Sequence, residues 1–139
     1  MTLYVLDTDH LSLLQRGHPA LLQRFSALPP EQLATTVVTA EEQFRGRLAQ
    51  INKIPSGPAR IEAYQHLRKA IADLCKLNVL PYDAAADRLF LALKRQHPRL
   101  GSQDLRIAAI TLTHQGTLAT RNLLDFGQLP NLAIENWAS

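Results

Sequence analysis

The sequence predicts an α/β fold, an α/β/α sandwich around a central, mainly parallel sheet, in a single domain over residues 1–139. Three observations lead there. Short apolar or β-branched runs at 3–6, 33–38, 78–80, 117–120 and 132–134 alternate with longer stretches of helical periodicity, the pattern of crossover units with helices on both sheet faces. No repeat, low-complexity tract or linker interrupts the chain, and 139 residues are one domain's length with room for a sizeable core. The first strand stops on a carboxylate, Asp7, at the edge where open α/β sheets bind ligands.

The elements follow in order. Asp7 or Thr8 caps a helix that Leu11, Leu13 and Leu14 make apolar and Gly17 ends. Pro19 opens a second helix, where a missing N–H costs nothing, and Pro29-Pro30 closes it. Strand two, 33–38, is rich in Thr and Val. A third helix from about residue 40 to 52 carries Phe44, Leu48 and Ile51 on one face, and Pro55-Ser56-Gly57-Pro58 turns the chain into a fourth, 59–76. That helix is read with an inward stripe of Ile61, Tyr64, Leu67, Ile71, Leu74 and Cys75. Strand three is 78–80. Asp83 caps a helix over 84–97, with Ala85, Leu89, Leu93 and Phe90 inward, and Ser102 caps the next, through His114. Strand four is 117–120, and strand five, 132–134, lies at an edge.

Composition narrows the function classes. No apolar run approaches the ~20 residues of a membrane span, and the N-terminus lacks a basic and apolar leader pattern. The single cysteine, Cys75, allows no internal disulfide and reads as a small buried hydrophobe, so a cytoplasmic location is expected. The five histidines are scattered without zinc-site spacing, with His10 read as a surface helix position, and there is no phosphate-binding glycine loop. A formal charge of +3 permits an anionic partner.

Four acids carry the chemistry. Asp7 follows strand one, Glu42 stands in the first turn of helix three, Asp104 opens a later helix and Asp125 follows strand four. All can reach one end of a parallel sheet. Such an arrangement offers hard oxygen ligands to magnesium or manganese, and holding like charges together without a cation costs stability. Each acid alone has a plainer reading. Asp7 can be a helix cap, Thr39-Ala40-Glu41-Glu42 fits a capping box, Asp104 suits a helix dipole, and Asp125 lies in a polar turn.

Four segments in order carry a resemblance: Leu6-Asp7-Thr8-Asp9, residues 39–46 (TAEEQFRG), residues 104–109 (DLRIAA) and residues 119–126 (ATRNLLDF). Together they resemble PIN-domain proteins, specifically the VapC-type toxin ribonucleases of bacterial type II toxin–antitoxin pairs. The resemblance implies a PIN-like sandwich and a metal-dependent endoribonuclease using Mg2+ (or Mn2+). It implies catalytic and metal-binding roles for Asp7, Glu42, Asp104 and Asp125, with Glu42 chosen over Glu41 because it stands four before Gly46. Thr8, Asp9, Thr120 and Asn122 are the accessory positions. Asp9 stands where many relatives carry asparagine, so it either joins the acids or caps the helix, and Asn122 can share the role of Asp125. The implied partners are an RNA substrate, a small cognate antitoxin and a second copy in a homodimer. A divalent cation held there lowers the pKa of water and offsets charge on an attacked phosphodiester.

Arg45, Arg47 and Arg121 are candidates for RNA or antitoxin contact, against the plain alternative of solvated helix faces. Two other readings compete. One is a PIN-like module that binds RNA or protein without cutting. The other is a phosphatase with its nucleophile in Asp7-Thr8-Asp9, which lacks a clear partner lysine motif.

Overall fold

All five expected strands form, and each runs parallel to its neighbours. The computed structural model describes residues 1–139. The chain runs β1 (Tyr4–Leu6), α1 (Thr8–Gln15), α2 (Pro19–Ser26), a 3-10 turn (Pro30–Gln32), β2 (Leu33–Thr36), α3 (Val37–Asn52) and α4 (Pro58–Cys75). It continues through β3 (Asn78–Leu80), α5 (Ala84–Gln96), α6 (Ser102–Thr113), β4 (Thr117–Ala119), α7 (Leu123–Phe126) and β5 (Ala133–Glu135).

The sheet order is β3-β2-β1-β4-β5. The chain builds outward from β1 to β3, then returns through α5 and α6 to lay β4 on the other side of β1. Strand order therefore reverses between β1 and β4, and the crevice at their C-terminal ends is where such sheets bind ligands. Successive residues of the short strands feed opposite layers. Val5, Ala34 and Leu118 pack with Ala86, Phe90, Leu93 and the buried face of α6. Leu6, Leu33 and Ala119 pack with Leu11, Leu21, Leu74 and Trp137. No helix is long and apolar enough to cross a membrane.

Several expectations are corrected. Strand two ends at Thr36 rather than residue 38, because the Thr36 hydroxyl accepts the Thr39 N–H at 3.0 Å and starts α3 at Val37. The Thr39 capping box therefore does not form, and Glu42 lies in the second turn. Gly101, not Ser102, is the N-cap of α6. Helix four has the expected extent but turns another face inward: Ala63, Ala70 and Leu74 are buried, while Ile61, Tyr64 and Ile71 are exposed, as is Leu48 on α3. Alanines let α4 approach α3 closely, so the bulky side chains are left outside. Cys75 is exposed, not buried. Gly116 is a close-approach position rather than a helix stop: a Cβ there would meet Leu3 O and Val5 Cγ2 at 3.1 Å, and Gln115 takes the positive φ instead.

Candidate active site

Carboxylates gather near the C-terminal ends of β1 and β4. Asp7 comes directly off β1, its N–H bonded to Ala119 O at 3.1 Å, and its carboxylate caps α1 by accepting the His10 N–H at 2.8 Å. It is 6% exposed. Burial pushes its carboxyl up to about 6, against the opposing pull of the Thr120 hydroxyl and the His10 N–H, with Asp9 and Asp104 adding like charge. Asp104, in the first turn of α6, is raised by burial and then by Glu42 and Asp125. Electrostatics thus link the four predicted acids through Asp104, although they arise from β1, α3, α6 and the segment after β4. None of Glu42, Asp104 and Asp125 has an ion-pair partner, and Asp7 has only the neutral His10 ring at 3.8 Å.

Hydroxyls and amides fix these carboxylates. Thr8 donates to Glu42 Oε1 at 2.5 Å and lies 3.2 Å from the Thr39 hydroxyl, which sits 3.3 Å from that of Thr36. Thr36, Thr39 and Thr120 are all fully buried. The Thr120 hydroxyl accepts the Asn122 N–H at 2.9 Å. Asn122 caps the short α7 and donates through Nδ2 to Asp125 Oδ2 at 3.1 Å, so the two side chains stand together. Asp125 therefore lies on a helical turn, not in a plain polar turn.

The remaining candidates lie beside the acids, and Asp9, Arg45 and Arg121 are held in ion pairs. Asp9 is drawn outward by Arg121, which donates to both its oxygens at 2.7 Å and holds its carboxyl below the ordinary range. Arg45 pairs with Glu41 at 2.6 Å. Arg47 has no ion-pair partner and lines a polar cleft containing Glu42.

His10, expected on the surface, is fully buried. Its Nε2 accepts the Trp137 N–H at 3.0 Å, and its Nδ1 has no partner. Asp7, Asp9 and His10 bring potential ligand atoms within 4.8 Å of one another. An Nε2 that accepts leaves the ring's proton on Nδ1, and a protonated nitrogen cannot ligate. With Asp9 paired to Arg121, the donor chemistry that suits a hard divalent cation is that of Asp7, Glu42, Asp104 and Asp125, although no three of these four bring ligand atoms within 4.8 Å of one another. Sequence reasoning missed the Thr36–Thr39 pair and His10. Two threonines three apart at the strand–helix junction were the available signal for the first, whereas the reach of Trp137 to His10 has no local signal.

A family model described as the PIN domain matches residues 4–128. The Ribonuclease VapC1 of Haemophilus influenzae (strain R2866) is 27% identical over 139 residues, spanning 97% of this chain and 98% of that protein. The Ribonuclease VapC2 of Rickettsia felis is 29% identical over 68 residues, 46% of this chain and 51% of that protein, about half its length. Among solved structures, VapBC2 from Rickettsia felis bound to a promoter DNA fragment has a TM-score of 0.80 at 22% identity, covering 98% and 99% of the two chains. A toxin–antitoxin complex from Klebsiella pneumoniae has 0.72 at 25% identity, covering 96% and 97%.

Proposed function

The chain belongs to the PIN-domain family, and from that premise we propose that it is a metal-dependent endoribonuclease, the toxin half of a toxin–antitoxin pair, with residues 1–139 as one PIN domain acting in the cytoplasm. The observation that carries the reading is the set of four carboxylates from four segments, electrostatically joined at the sheet's switch point and lacking cationic partners. The full-length likeness to a protein named a ribonuclease supplies the substrate class.

In this reading Asp7, Glu42, Asp104 and Asp125 hold Mg2+ or Mn2+. The ion, when bound, acidifies water and stabilises charge on the attacked phosphate. The chain's own contribution is preorganisation. Thr8 orients Glu42, the hydroxyl of Thr120 favours ionised Asp7, and Asn122 fixes Asp125. An antitoxin partner is supported by the Klebsiella complex and by a groove of about 210 Å³ between α1, α2 and α4, whose apolar floor of leucines and Phe25 is rimmed by Gln15, Lys69, Asp73 and Lys76. Exposed Leu48, Ile61, Tyr64 and Ile71 add apolar surface for protein contact, including the second copy of a homodimer.

The test is cleavage of a mixed RNA pool with Mg2+ or Mn2+, with EDTA, and with Asp7→Asn in parallel. Metal-dependent fragments absent from both controls are expected. A folded Asp7→Asn chain that cuts at the native rate would remove the assignment. Tight RNA binding with no cutting under any metal would leave a binding module instead.

A further inference from the structure

We propose that Arg16 and Arg47 form a phosphate-binding subsite that carries the RNA backbone away from the acidic crevice along the seam between α1 and α3. The subsite rests on the reading of this chain as one that acts on RNA. Two clefts meet there. The first, about 230 Å³, contains Thr8, Ser12 and Glu42 and has no apolar lining residue. The second, about 290 Å³, continues past Gln15 to His66 and Lys69. Arg16 and Arg47 line both. The track thus begins at one of the four acids and runs onto cationic side chains.

Neither arginine has a hydrogen-bonding or ion-pair partner within the chain, unlike Arg45 and Arg121, whose guanidiniums are engaged by Glu41 and Asp9. The helices that carry them are nonetheless tied together. Gln15 and Gln43, next to the track on α1 and α3, exchange reciprocal amide hydrogen bonds of 3.1 and 2.9 Å. Gly46 also lines the first cleft, and nothing lies within 4 Å of where its Cβ would stand. A glycine inside a helix without positive φ costs about 1 kcal/mol relative to alanine, and here it leaves the cleft open.

The lining favours nucleic acid over a protein segment. Protein partners anchor on buried apolar or aromatic side chains, which the first cleft lacks. Guanidinium, hydroxyl and amide groups are what contact phosphate and sugar. Such contacts provide affinity without sequence choice, so the subsite predicts grip on any single strand.

The experiment measures binding of a labelled, short single-stranded RNA of mixed sequence by fluorescence anisotropy across a salt series. The protein is the full chain carrying Asp7→Asn, in EDTA, alone or with Arg16→Gln, Arg47→Gln or both. Arg88→Gln on α5 is the control. The expected result is a shallower dependence of log K on log salt, by about 0.7 for each substitution and about 1.4 for the pair, with Arg88→Gln unchanged. With Asp7 restored, the pair should raise KM for RNA far more than it lowers kcat. An unchanged slope and affinity in the double variant overturns the subsite, as does an equal loss from Arg88→Gln. Unchanged RNA binding with weakened antitoxin binding overturns it in favour of a protein contact. A slope lost as expected, in a protein whose unsubstituted form cuts no RNA, keeps the subsite and removes the nuclease reading.

Discussion

The backbone N–H of Trp137 donates to His10 Nε2 at 3.0 Å, so the C-terminal segment sets the tautomer of a buried imidazole beside Asp7. The opposite ring nitrogen faces Asp7 Oδ1 at 3.8 Å as an N–H without a partner. Replacing His10 by phenylalanine strands the Trp137 N–H and should cost about 1–3 kcal/mol, measured by urea denaturation.

Asp7 and His10 give stability opposite pH slopes. Asp7, raised from 3.8 to about 6, binds more protons folded than unfolded, so its contribution is present at low pH and lost as pH rises through about 6. His10, lowered from 6.5 to about 4 chiefly by burial, binds fewer protons folded, so its contribution is lost as pH falls through the same window. Asp7→Asn keeps a good helix cap and removes the costly charge. The metal-free variant should be more stable than the native chain at pH 8, by on the order of 2–3 kcal/mol, with the gain vanishing near pH 4. Denaturation at several pH values checks this, and a destabilised variant at pH 8 contradicts it.

Metal affinity should follow the protonation of Asp7. Mn2+ binding by calorimetry is expected to weaken about tenfold per pH unit below about 6 and to be lost in Asp7→Asn. Affinity flat from pH 5 to 8 would place the ion elsewhere.

Thr8 acts on Glu42 through one hydrogen bond. Thr8→Val should lower metal affinity about 10–100-fold, and Thr8→Ser should restore most of it. Equal behaviour of the two variants would reduce Thr8 to a packing residue.

Asp9 is expected to tolerate change where the four acids do not, because Arg121 turns its carboxylate outward. Asp9→Asn should retain Mn2+ affinity and cleavage, read beside Asp104→Asn, which should lose both.

Much of this was legible from the sequence because it is written in local patterns. Strand positions follow from compact β-branched runs, and Asp7 and Asp104 are marked by the strand end and helix start they occupy. The inner face of α4 was not legible, since Ile61 and Ile71 outrank Ala63 and Ala70 in hydrophobicity while the smaller residues win on closeness to α3. Glu42 was read into the first turn of α3 and lies in the second, because two threonines compete to cap α3 and only Thr36 is held at the end of a paired strand. The burial of His10 depends on a residue at the far end of the chain.

That dependence on distant segments bears on how such a protein is made. Asp7 and Glu42 emerge early, but Asp125 and the β4 and β5 strands that seat its neighbours come at the end of the chain. A growing polypeptide therefore carries only half of its acids through most of its synthesis and has no crevice to place them in. In a chain made from its N-terminus, the switch point between β1 and β4 can form only after β4 has emerged and docked beside β1.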